Sequence, residues 1–551
     1  MKKIVRSRWF GFLAGCILGM IIFMLIYGVK IINPAYEEWI YQKSGDINQH
    51  YIGWQFYRKS NWSFPIGLIE GLSEQKVSMM YTDSIPLFAV FFKVLSPLLP
   101  ETFQYMGLWG VFCFAMQGGL GTLITSKLEK EQNVFIDLLG GSLFILSETV
   151  IQRMFGHSAL GGQWLILLFI WLWLCNDEFT SVKRVIYWTL TSMLAVSVHP
   201  YFVPMCYFVM FGALLYDLLE NREIVRDILV PVSSVPFTLL LMWVNGAFYG
   251  GSSFSGGGLG QFSANLNTLI NPMGEGNSLL IKPLPTIDGQ GEGYAYLGAG
   301  IIFGAVICIV LTIFFTVKNR FSGVSYFFSD YKNIIIPVVL VVAISSYLAF
   351  FPVLTLNDKV IFTFSYPAKI TELLSIFRAS GRFMWLTLYG IIVGIIAFAF
   401  RKLDNRKVGT IFLILCLAIQ ITDMTVIFKR FSYYKTEMEY TSPLKSNRWE
   451  ELGTIYDEIC FVPEVPDFNE YMDNYYAFAI YAVKHDMNMS SFIIARLDFD
   501  RMKEYTEKQA EKLAHGKPDE NKLYVVTNNF AYVSDNIITE EFDGYMICHA
   551  R

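Results

Sequence analysis

The sequence is poor in charged residues, which make up 16% of its 551 residues, whereas apolar residues make up 54%. Soluble domains carry about 25% charged residues, so this composition excludes an ordinary soluble protein. Apolar runs of about 18 residues or more can cross a bilayer. The first such run covers 9–32, behind the basic start at Lys2, Lys3, Arg6 and Arg8. No small-residue cleavage site follows it, so we expect a retained anchor whose N-terminus lies in the cytoplasm.

The cysteines lack any C-x-x-C spacing, which excludes the common zinc-binding and thioredoxin-type motifs. Six of the eight cysteines lie in predicted spans, where we interpret them as packing residues. Cys460 and Cys548 lie in the C-terminal tail. They can form a disulfide if the tail lies outside the cytoplasm.

The tail also lacks basic charge. Residues 431–551 carry 22 acidic and 12 basic residues, a net charge of −10, whereas residues 1–430 carry a net charge of +6. Nucleic-acid binding requires a basic surface, so nucleic acid is excluded as a partner. A basic membrane region, 1–430, therefore precedes an acidic region, 431–551.

The apolar runs predict a mainly α protein, a polytopic transmembrane helical bundle of about 11 or 12 hydrophobic segments. These segments cover roughly 9–32, 84–99, 105–126, 134–152, 158–175, 185–199, 200–217, 228–246, 296–317, 333–351, 383–400 and 408–428. Five basic loops, at 127–132, 177–184, 219–227, 317–320 and 401–407, should face the cytoplasm.

With those loops inside, the opposite face gathers the first outer loop 33–83, the segments 152–157 and 352–382, the glycine-rich loop 247–295, and the tail from about 430. The segment 84–99 conflicts with this topology if it crosses fully, so we interpret it as a half-crossing or surface helix. A reversed early half is the alternative. The glycine-rich loop is either a lid or a linker.

The tail predicts a small α/β domain outside the cytoplasm. Strands are expected at 459–462, 491–495, 523–527 and 545–548, with helices at 446–456, 471–485 and 500–515. Alternating strands and helices are typical of α/β domains.

Three residues of the first outer loop are candidate catalytic groups. Asp46 and His50 share a face if this segment is helical, and Asp83 stands at the start of the next apolar segment. One carboxylate can act as a general base on an acceptor hydroxyl, and a second acid or a histidine can hold a divalent cation. The alternative is that Asp46 caps a helix and His50 is solvated.

His157 and His199 fall at predicted span ends, where ionisable groups are functional candidates, although a neutral structural histidine is an open alternative. Arg378 and Arg382 precede a span on the outer side and form a candidate anion grip. We expect them to hold a lipid phosphate; snorkelling at the interface is the alternative.

The remaining candidate substrate-binding residues lie in the two long outer loops. They are Trp54, Tyr57, Arg58 and Tyr81 in the first, and Asn271 and Glu292 in the second. Aromatic rings of the first loop can stack on sugar faces, and an interfacial aromatic belt is the alternative explanation.

Several motifs resemble an uncharacterised family of bacterial polytopic membrane proteins. They are Gly45-Asp46-Ile-Asn-Gln-His50, Tyr81-Thr-Asp-Ser-Ile-Pro86, Gly156-His157 through Gln163-Trp-Leu-Ile166, Tyr294-Ala-Tyr-Leu-Gly298 and Phe377 to Trp385. The likeness extends over nearly the whole chain.

The architecture also resembles the GT-C glycosyltransferases, which use polyprenyl-phosphate-linked sugars. The resemblance implies that Asp46 is the essential acid of the first outer loop and that Arg378 or Arg382 meets the donor phosphate. Asp83 and His157 are then supporting groups. The chain departs from the metal-dependent members, because its first outer loop has no D-x-D or E-x-D pair and Glu37-Glu38 is adjacent.

These observations predict a bacterial plasma-membrane glycosyltransferase. Its partners would be the bilayer, a polyprenyl-phosphate sugar and a cell-surface glycan, lipid or protein acceptor, and a divalent cation is a possible cofactor. A transporter or flippase of lipid-linked glycans and a non-catalytic glycan-binding scaffold are the alternatives. No internal repeat of the kind found in transporters is visible.

Overall fold

The computed structural model describes residues 8–43, 45–129, 132–220, 224–249, 259–318, 322–403, 405–463, 468–492, 494–495, 498–527 and 531–551. The chain is mainly helical up to residue 430 and ends in a region with a small sheet. The centre of the glycine-rich loop, 250–258, lies outside the described residues, so the choice between a lid and a linker is untested.

The long apolar runs form helices because a helix satisfies its own backbone hydrogen bonds. Six helices are long and apolar enough to cross a membrane among the described residues: Arg8–Tyr27, Met106–Leu128, Phe202–Leu219, Ala299–Lys318, Lys332–Phe350 and Ser380–Arg401. A bent pair, Arg406–Asp423 with Thr425–Lys435, raises the number to seven. Mean hydropathy reaches 2.7 in Ala299–Lys318.

Other helices fill the rest of the bundle and its loops. They are Glu38–Gln42, Asp46–Lys59, Pro86–Leu95, Val134–Ile145, Glu148–Arg153, Trp164–Leu174, Ser181–Val198, Ile224–Val244, Ala368–Ser375 and Thr425–Arg430. The helix Ser322–Phe350 contains the span Lys332–Phe350, and the span Ser380–Arg401 consists of the 3₁₀ turn Ser380–Phe383 and the helix Met384–Arg401. The loops carry two hairpins, β1 (Leu68–Ile69) with β2 (Val77–Ser78), and β3 (Val353–Leu356) with β4 (Lys359–Thr363).

Small residues bring helices Arg8–Tyr27 and Met106–Leu128 into close contact. A Cβ atom placed on Gly19 would lie 2.0 Å from the backbone oxygen of Phe114, and one on Gly118 would lie 2.2 Å from that of Gly15. Apolar helices in lipid associate through such close backbone packing. The glycines of the first predicted span therefore set how it joins the bundle.

Contacts between charged residues place several basic segments at one end of the bundle. Arg8 and Lys127 both pair with Glu178, and Arg406 pairs with Glu129. Lys127, Glu178 and Arg406 belong to three of the basic loops that are expected to face the cytoplasm. The first outer loop, 33–83, begins at the opposite end.

The segment 84–99 does not run the length of the bundle. It forms a ten-residue helix, Pro86–Leu95, followed by a 3₁₀ turn at Ser96–Leu98. The Tyr105 hydroxyl donates to the backbone oxygen of Ser84, so the segment returns to the end from which it starts. A ten-residue helix is about 15 Å long, half of a bilayer core. The segment is therefore too short to cross fully as one helix, and the choice between a half-crossing and a surface helix stays a prediction.

Other expected boundaries are wrong. The expected span 134–152 is broken into Val134–Ile145 and Glu148–Arg153. The oxygen of the Ser147 side chain lies 2.9 Å from that of Thr149 at this break, and Thr149 donates to Gln163. Side-chain hydrogen bonding of this kind competes with the helical backbone pattern.

The tail forms a five-stranded mixed sheet in the order β6-β5-β7-β9-β8. The strands are β5 (Glu458–Val462), β6 (Asn488–Met489), β7 (Lys522–Val526), β8 (Ile537–Phe542) and β9 (Tyr545–Ala550). Three helices accompany them: Arg448–Leu452, Phe468–Lys484 and Phe499–Ala514. Strands β6, β5 and β7 are parallel, whereas β9 and β8 pair antiparallel.

Two expectations for the tail need correction. The expected strand at 491–495 is replaced by the two-residue β6, and β8 was not predicted. Cys460 and Cys548 are free, because both lie opposite Tyr524 on the two sides of β7. Two strand spacings separate their backbones by about 9.5 Å, beyond the roughly 7 Å limit for a disulfide.

The tail packs on the first outer loop. The backbone N–H of Met489 donates to Gly71, and that of Glu74 donates to Ser490. Nearer the bundle, the N–H of Ala495 donates to the carbonyl of Tyr81, two residues before Asp83. The tail therefore contacts the segment that carries one of the candidate acids.

Candidate functional site

Asp46 begins the helix that follows the glycine turn of the first outer loop. Gly45 precedes it at a φ of 118°, a conformation that favours glycine. Asp46 is the first helical residue and Gly45 provides no side-chain cap, so the alternative of Asp46 as a helix cap is wrong. The Oδ2 atom of Asp46 lies 3.0 Å from Nδ1 of His157, and its side chain is 42% exposed.

Asp83 lies in a strained turn. Its φ is 51° and that of Ile85 is 54°, a region that side-chain-bearing residues rarely adopt. Such strain is concentrated at functional sites. The turn directs Oδ1 of Asp83 to within 3.3 Å of Nε2 of His199.

The hydrogen bonds of His199 fix its tautomer. Its Nδ1 accepts from the backbone N–H of Tyr201 at 3.1 Å. In the neutral ring the proton therefore sits on Nε2, which faces Asp83. Burial lowers the pKa of His199, although Asp83 opposes that effect. His199 thus orients the carboxylate as a neutral donor.

His50 is fully buried, so the alternative of a solvated side chain is wrong. Neither of its ring nitrogens has a hydrogen-bond partner among the described residues. Its Nε2 lies 3.9 Å from Oδ2 of Asp83, beyond hydrogen-bond distance. Burial lowers the pKa of His50 to about 4 despite the attraction of Asp83 and Asp46. The imidazole is therefore neutral at neutral pH.

Glu292 joins the other side of the cluster to two arginines. Its Oε2 lies 2.6 Å from Arg382, 3.4 Å from Arg153 and 3.4 Å from Nε2 of His157. Burial alone raises the pKa of Glu292, but His157 and the two guanidinium groups lower it by more, so its net pKa is well below the ordinary value. Arg382 also stacks on Tyr201, with its guanidinium carbon 4.7 Å from the ring centroid.

The structure therefore brings residues from distant parts of the chain together at one end of the bundle. His157 bridges Asp46 and Glu292, and its ring centroid lies 6.4 Å from that of His50. Burial raises the pKa of Asp83, but His199, His50 and His157 lower it by more. We call Asp46, His50, Asp83, Arg153, His157, His199, Glu292 and Arg382 the outer cluster.

Three of these residues can hold a metal ion. One ligand atom each from His50, Asp83 and His157 lie within 4.8 Å of one another. Imidazole nitrogen and carboxylate oxygen are ligands for zinc and other first-row transition metals. Metal binding at this site requires no D-x-D motif.

Several candidate residues have structural contacts instead. The Trp54 indole N–H donates to Phe103, the Tyr57 hydroxyl to Ile66, and Arg58 to the carbonyl of Glu101. The Trp54 and Arg58 contacts join the helix Asp46–Lys59 to the segment that follows Pro86–Leu95, whereas the Tyr57 contact lies within the first outer loop.

The remaining candidates have contacts of other kinds. Asn271 donates to Asn267 and Leu284 within the second outer loop. The Tyr81 hydroxyl donates to Ala247. Arg378 is exposed, with its guanidinium carbon 5.8 Å from the Phe262 ring centroid, whereas Arg382 is buried. The two arginines thus occupy different surroundings.

Arg153 and Tyr201 were missed by the sequence reasoning, and His199 was considered without a role. Arg153 precedes His157 by four residues, at the same end of a predicted span. Its position on the expected outer side, against the positive-inside preference, is the signal that could have identified Arg153. Tyr201 carries no comparable signal in the sequence.

Comparison with known families identifies the chain. Residues 16–425 match a domain of unknown function, DUF6311, and residues 448–550 match the DUF6311 C-terminal domain. The chain belongs to the DUF6311 family. No curated protein and no solved structure matches it. Membership of DUF6311 carries no activity, so a function for this chain has to be argued from its geometry.

Proposed function

We propose that this DUF6311 protein is an integral membrane glycosyltransferase of the GT-C type. It would transfer a sugar from a polyprenyl-phosphate donor to an extracytoplasmic glycan, lipid or protein. The observation that carries the proposal is the outer cluster, where carboxylates, imidazoles and guanidinium groups from distant segments meet at one end of an apolar bundle. Ionisable groups beside membrane spans are functional candidates by default.

The exposed surface of the long helices supports insertion in a bilayer. Only 17% of the apolar window of Ala299–Lys318 is buried, and Ile309, Ile313 and Phe314 are exposed. The basic loops are expected to face the cytoplasm. The outer cluster, at the other end, would then face the outside of a bacterial plasma membrane, together with the tail.

Asp46 is the proposed general base because it is the acid of the cluster most open to a substrate, with 42% of its side chain exposed, against 27% for Asp83. It would take the proton of the acceptor hydroxyl as that oxygen attacks the anomeric carbon. The bond from that carbon to the phosphate oxygen breaks, and the polyprenyl phosphate leaves with the electron pair. His157 orients the Asp46 carboxylate through Nδ1.

Arg382 and Arg153 are the proposed phosphate contacts. Both face the single carboxylate of Glu292, so these three side chains carry a net positive charge. A lipid phosphate would complete this charge balance, and guanidinium groups suit phosphate geometry. Arg382 also lies in the first turn of the candidate span Ser380–Arg401, where a lipid headgroup would lie.

The test is transfer in reconstituted vesicles. Asp46→Asn should reduce transfer of a radiolabelled sugar from a polyprenyl-phosphate donor at least about 100-fold, since general-base catalysis contributes about 10²–10⁴-fold. Glu437→Gln is the matched control, because Glu437 is an exposed acid paired with Lys30. It should transfer at the wild-type rate.

The donor and the acceptor are identified by comparing the lipid-linked sugars and surface glycans of cells with and without the gene. Full transfer by Asp46→Asn would disprove the role of this acid. A wild-type protein that moves lipid-linked glycan across the vesicle membrane without transferring it would favour a flippase.

A further inference from the structure

We propose that His50, Asp83 and His157 bind a first-row transition-metal ion, such as Zn²⁺ or Mn²⁺. The first observation is proximity, since their ligand atoms lie within 4.8 Å of one another although the residues are far apart in the chain. Two atoms bound to one zinc ion at about 2.1 Å lie about 3.4 Å apart. Small side-chain movements would bring these three atoms to that separation.

The second observation is His50 itself. It is 0% exposed, and neither ring nitrogen has a hydrogen-bond partner among the described residues. Leaving a buried polar group unsatisfied costs about 1–3 kcal/mol. Its Nε2 stands 3.9 Å from Asp83, too far for a hydrogen bond and close to the spacing of two ligands on one ion. A metal ion between them would bind Nε2 of His50 and Oδ2 of Asp83.

Two of the three ligands, His157 and Asp83, have outer partners of the kind found around metal ions. Asp46 lies 3.0 Å from Nδ1 of His157 and Glu292 lies 3.4 Å from its Nε2, so an ion bound to His157 would replace one of these two contacts. His199 lies 3.3 Å from Oδ1 of Asp83 and so leaves Oδ2, the oxygen nearer His50. Metal-bound histidines and carboxylates are oriented by such outer partners. The strained turn at Asp83 places that carboxylate in the group.

The ligand set favours a particular class of ion. Two imidazoles and one carboxylate suit zinc, manganese or iron, whereas Mg²⁺ and Ca²⁺ prefer oxygen ligands alone. Three protein ligands leave coordination positions for water or an oxygen of a bound molecule. This inference does not depend on the proposed glycosyl transfer, because it concerns binding of the ion alone.

The test measures metal content directly. The full-length protein, purified in detergent without a histidine tag and stripped by a chelator, is incubated with Zn²⁺ or Mn²⁺ and desalted. Mass spectrometry of the elements should find about one ion per chain. His50→Gln and Asp83→Asn should bind the ion at least about tenfold more weakly. His515→Ala, a change at an exposed histidine of the tail, should bind like wild type.

Thermal unfolding provides the second measurement. The ion should raise the unfolding midpoint of the wild type and of His515→Ala, but not that of His50→Gln, because only a folded state with the site gains binding energy. His50→Gln keeps a polar side chain of similar length, and a sharp metal-free unfolding transition will show that it folds. A stripped wild type that binds neither ion, or equal binding by His50→Gln, would overturn the inference.

Discussion

At the scale of single residues, the charge balance of the outer cluster depends on Glu292. Its carboxylate is the partner of two arginines whose side chains are only 9% and 10% exposed. Buried charges are tolerated when they are paired and hydrogen-bonded. Glu292 therefore lies between two positive charges, those of Arg153 and Arg382. In the same way, His157 lies between the carboxylates of Asp46 and Glu292.

Glu292→Gln should lower the free energy of unfolding by about 2–3 kcal/mol. Removing one partner of a fully buried pair costs about 3–5 kcal/mol, and Glu292 is 30% exposed, which reduces the loss. Thermal unfolding in detergent measures the change. Glu437→Gln, at an 84% exposed acid, is the control and should cost less than about 1 kcal/mol. Equal unfolding midpoints for the two variants would contradict the prediction.

At the scale of elements, the helix Asp46–Lys59 has different contacts at its two ends. Its first turns carry Asp46 and His50 into the outer cluster, while Arg58 in its last turn holds the segment after Pro86–Leu95. The segment that follows the helix Pro86–Leu95 is thereby attached to the same element that presents the candidate base. A ten-residue helix is only marginally stable by itself, so it depends on contacts with neighbouring elements such as these.

Arg58→Ala should loosen this attachment. Arg58 donates to the Ser96 hydroxyl at 2.7 Å, to Glu101 at 2.7 Å and to Leu99 at 3.3 Å. Hydrogen–deuterium exchange over 86–101 should become at least about tenfold faster, since loss of charged hydrogen bonds costs about 1.5–3 kcal/mol. Lys59→Ala is the neighbouring control, whose partner Asp486 is exposed. Equal exchange in wild type and Arg58→Ala would show that the segment is held in another way.

In the tail sheet, β8 is tied to the helix Arg448–Leu452 by a pH-dependent pair. The hydrogen bond from Arg448 lowers the pKa of Glu540, and His549 adds to that effect. Because the folded pKa is the lower one, this stabilisation is present above about pH 4.5 and decreases as the pH falls below it. Arg448→Ala should therefore lower the melting temperature more at pH 7 than at pH 3.5. Lys508→Ala, in an exposed i,i+4 pair, should change little at either pH.

At the scale of the whole molecule, the two ends of the bundle differ in chemistry. One end holds basic residues paired with Glu178 and Glu129, and the other holds the outer cluster and the tail that packs on the first outer loop. The backbone contact between Ala495 and Tyr81 places part of the tail two residues from Asp83. A bound acceptor could therefore touch both regions, in keeping with the proposed transfer at an outer surface.

Labelling of single introduced cysteines tests this orientation. Asn61→Cys lies at an exposed position of the first outer loop and should react with a membrane-impermeant maleimide in intact cells. Lys407→Cys, exposed in a basic loop, should react only after permeabilisation. The wild-type chain with its native cysteines gives the background. Labelling of both positions in intact cells, or of Lys407→Cys alone, would contradict the proposed orientation.

The amino-acid sequence by itself determined the apolar helices, the gathering of basic loops at one end and the α/β character of the tail. These features follow from local patterns, because apolar length and charge are read over neighbouring residues. It also singled out Asp46, His50, Asp83, His157, Arg382 and Glu292, since acids, histidines and arginines beside spans are rare.

Only the tertiary structure decided which of these residues meet. Arg378 resembles Arg382 in the sequence yet is exposed beside Phe262. Trp54 and Tyr57 donate hydrogen bonds to the backbone oxygens of Phe103 and Ile66. Arg153 and Glu292 are 139 residues apart in the chain and hydrogen-bonded in the structure. Such pairings depend on how long loops fold back over the helix ends, which no local pattern specifies. The burial of His50 without a hydrogen bond, and hence the metal proposal, arises from the same long-range packing.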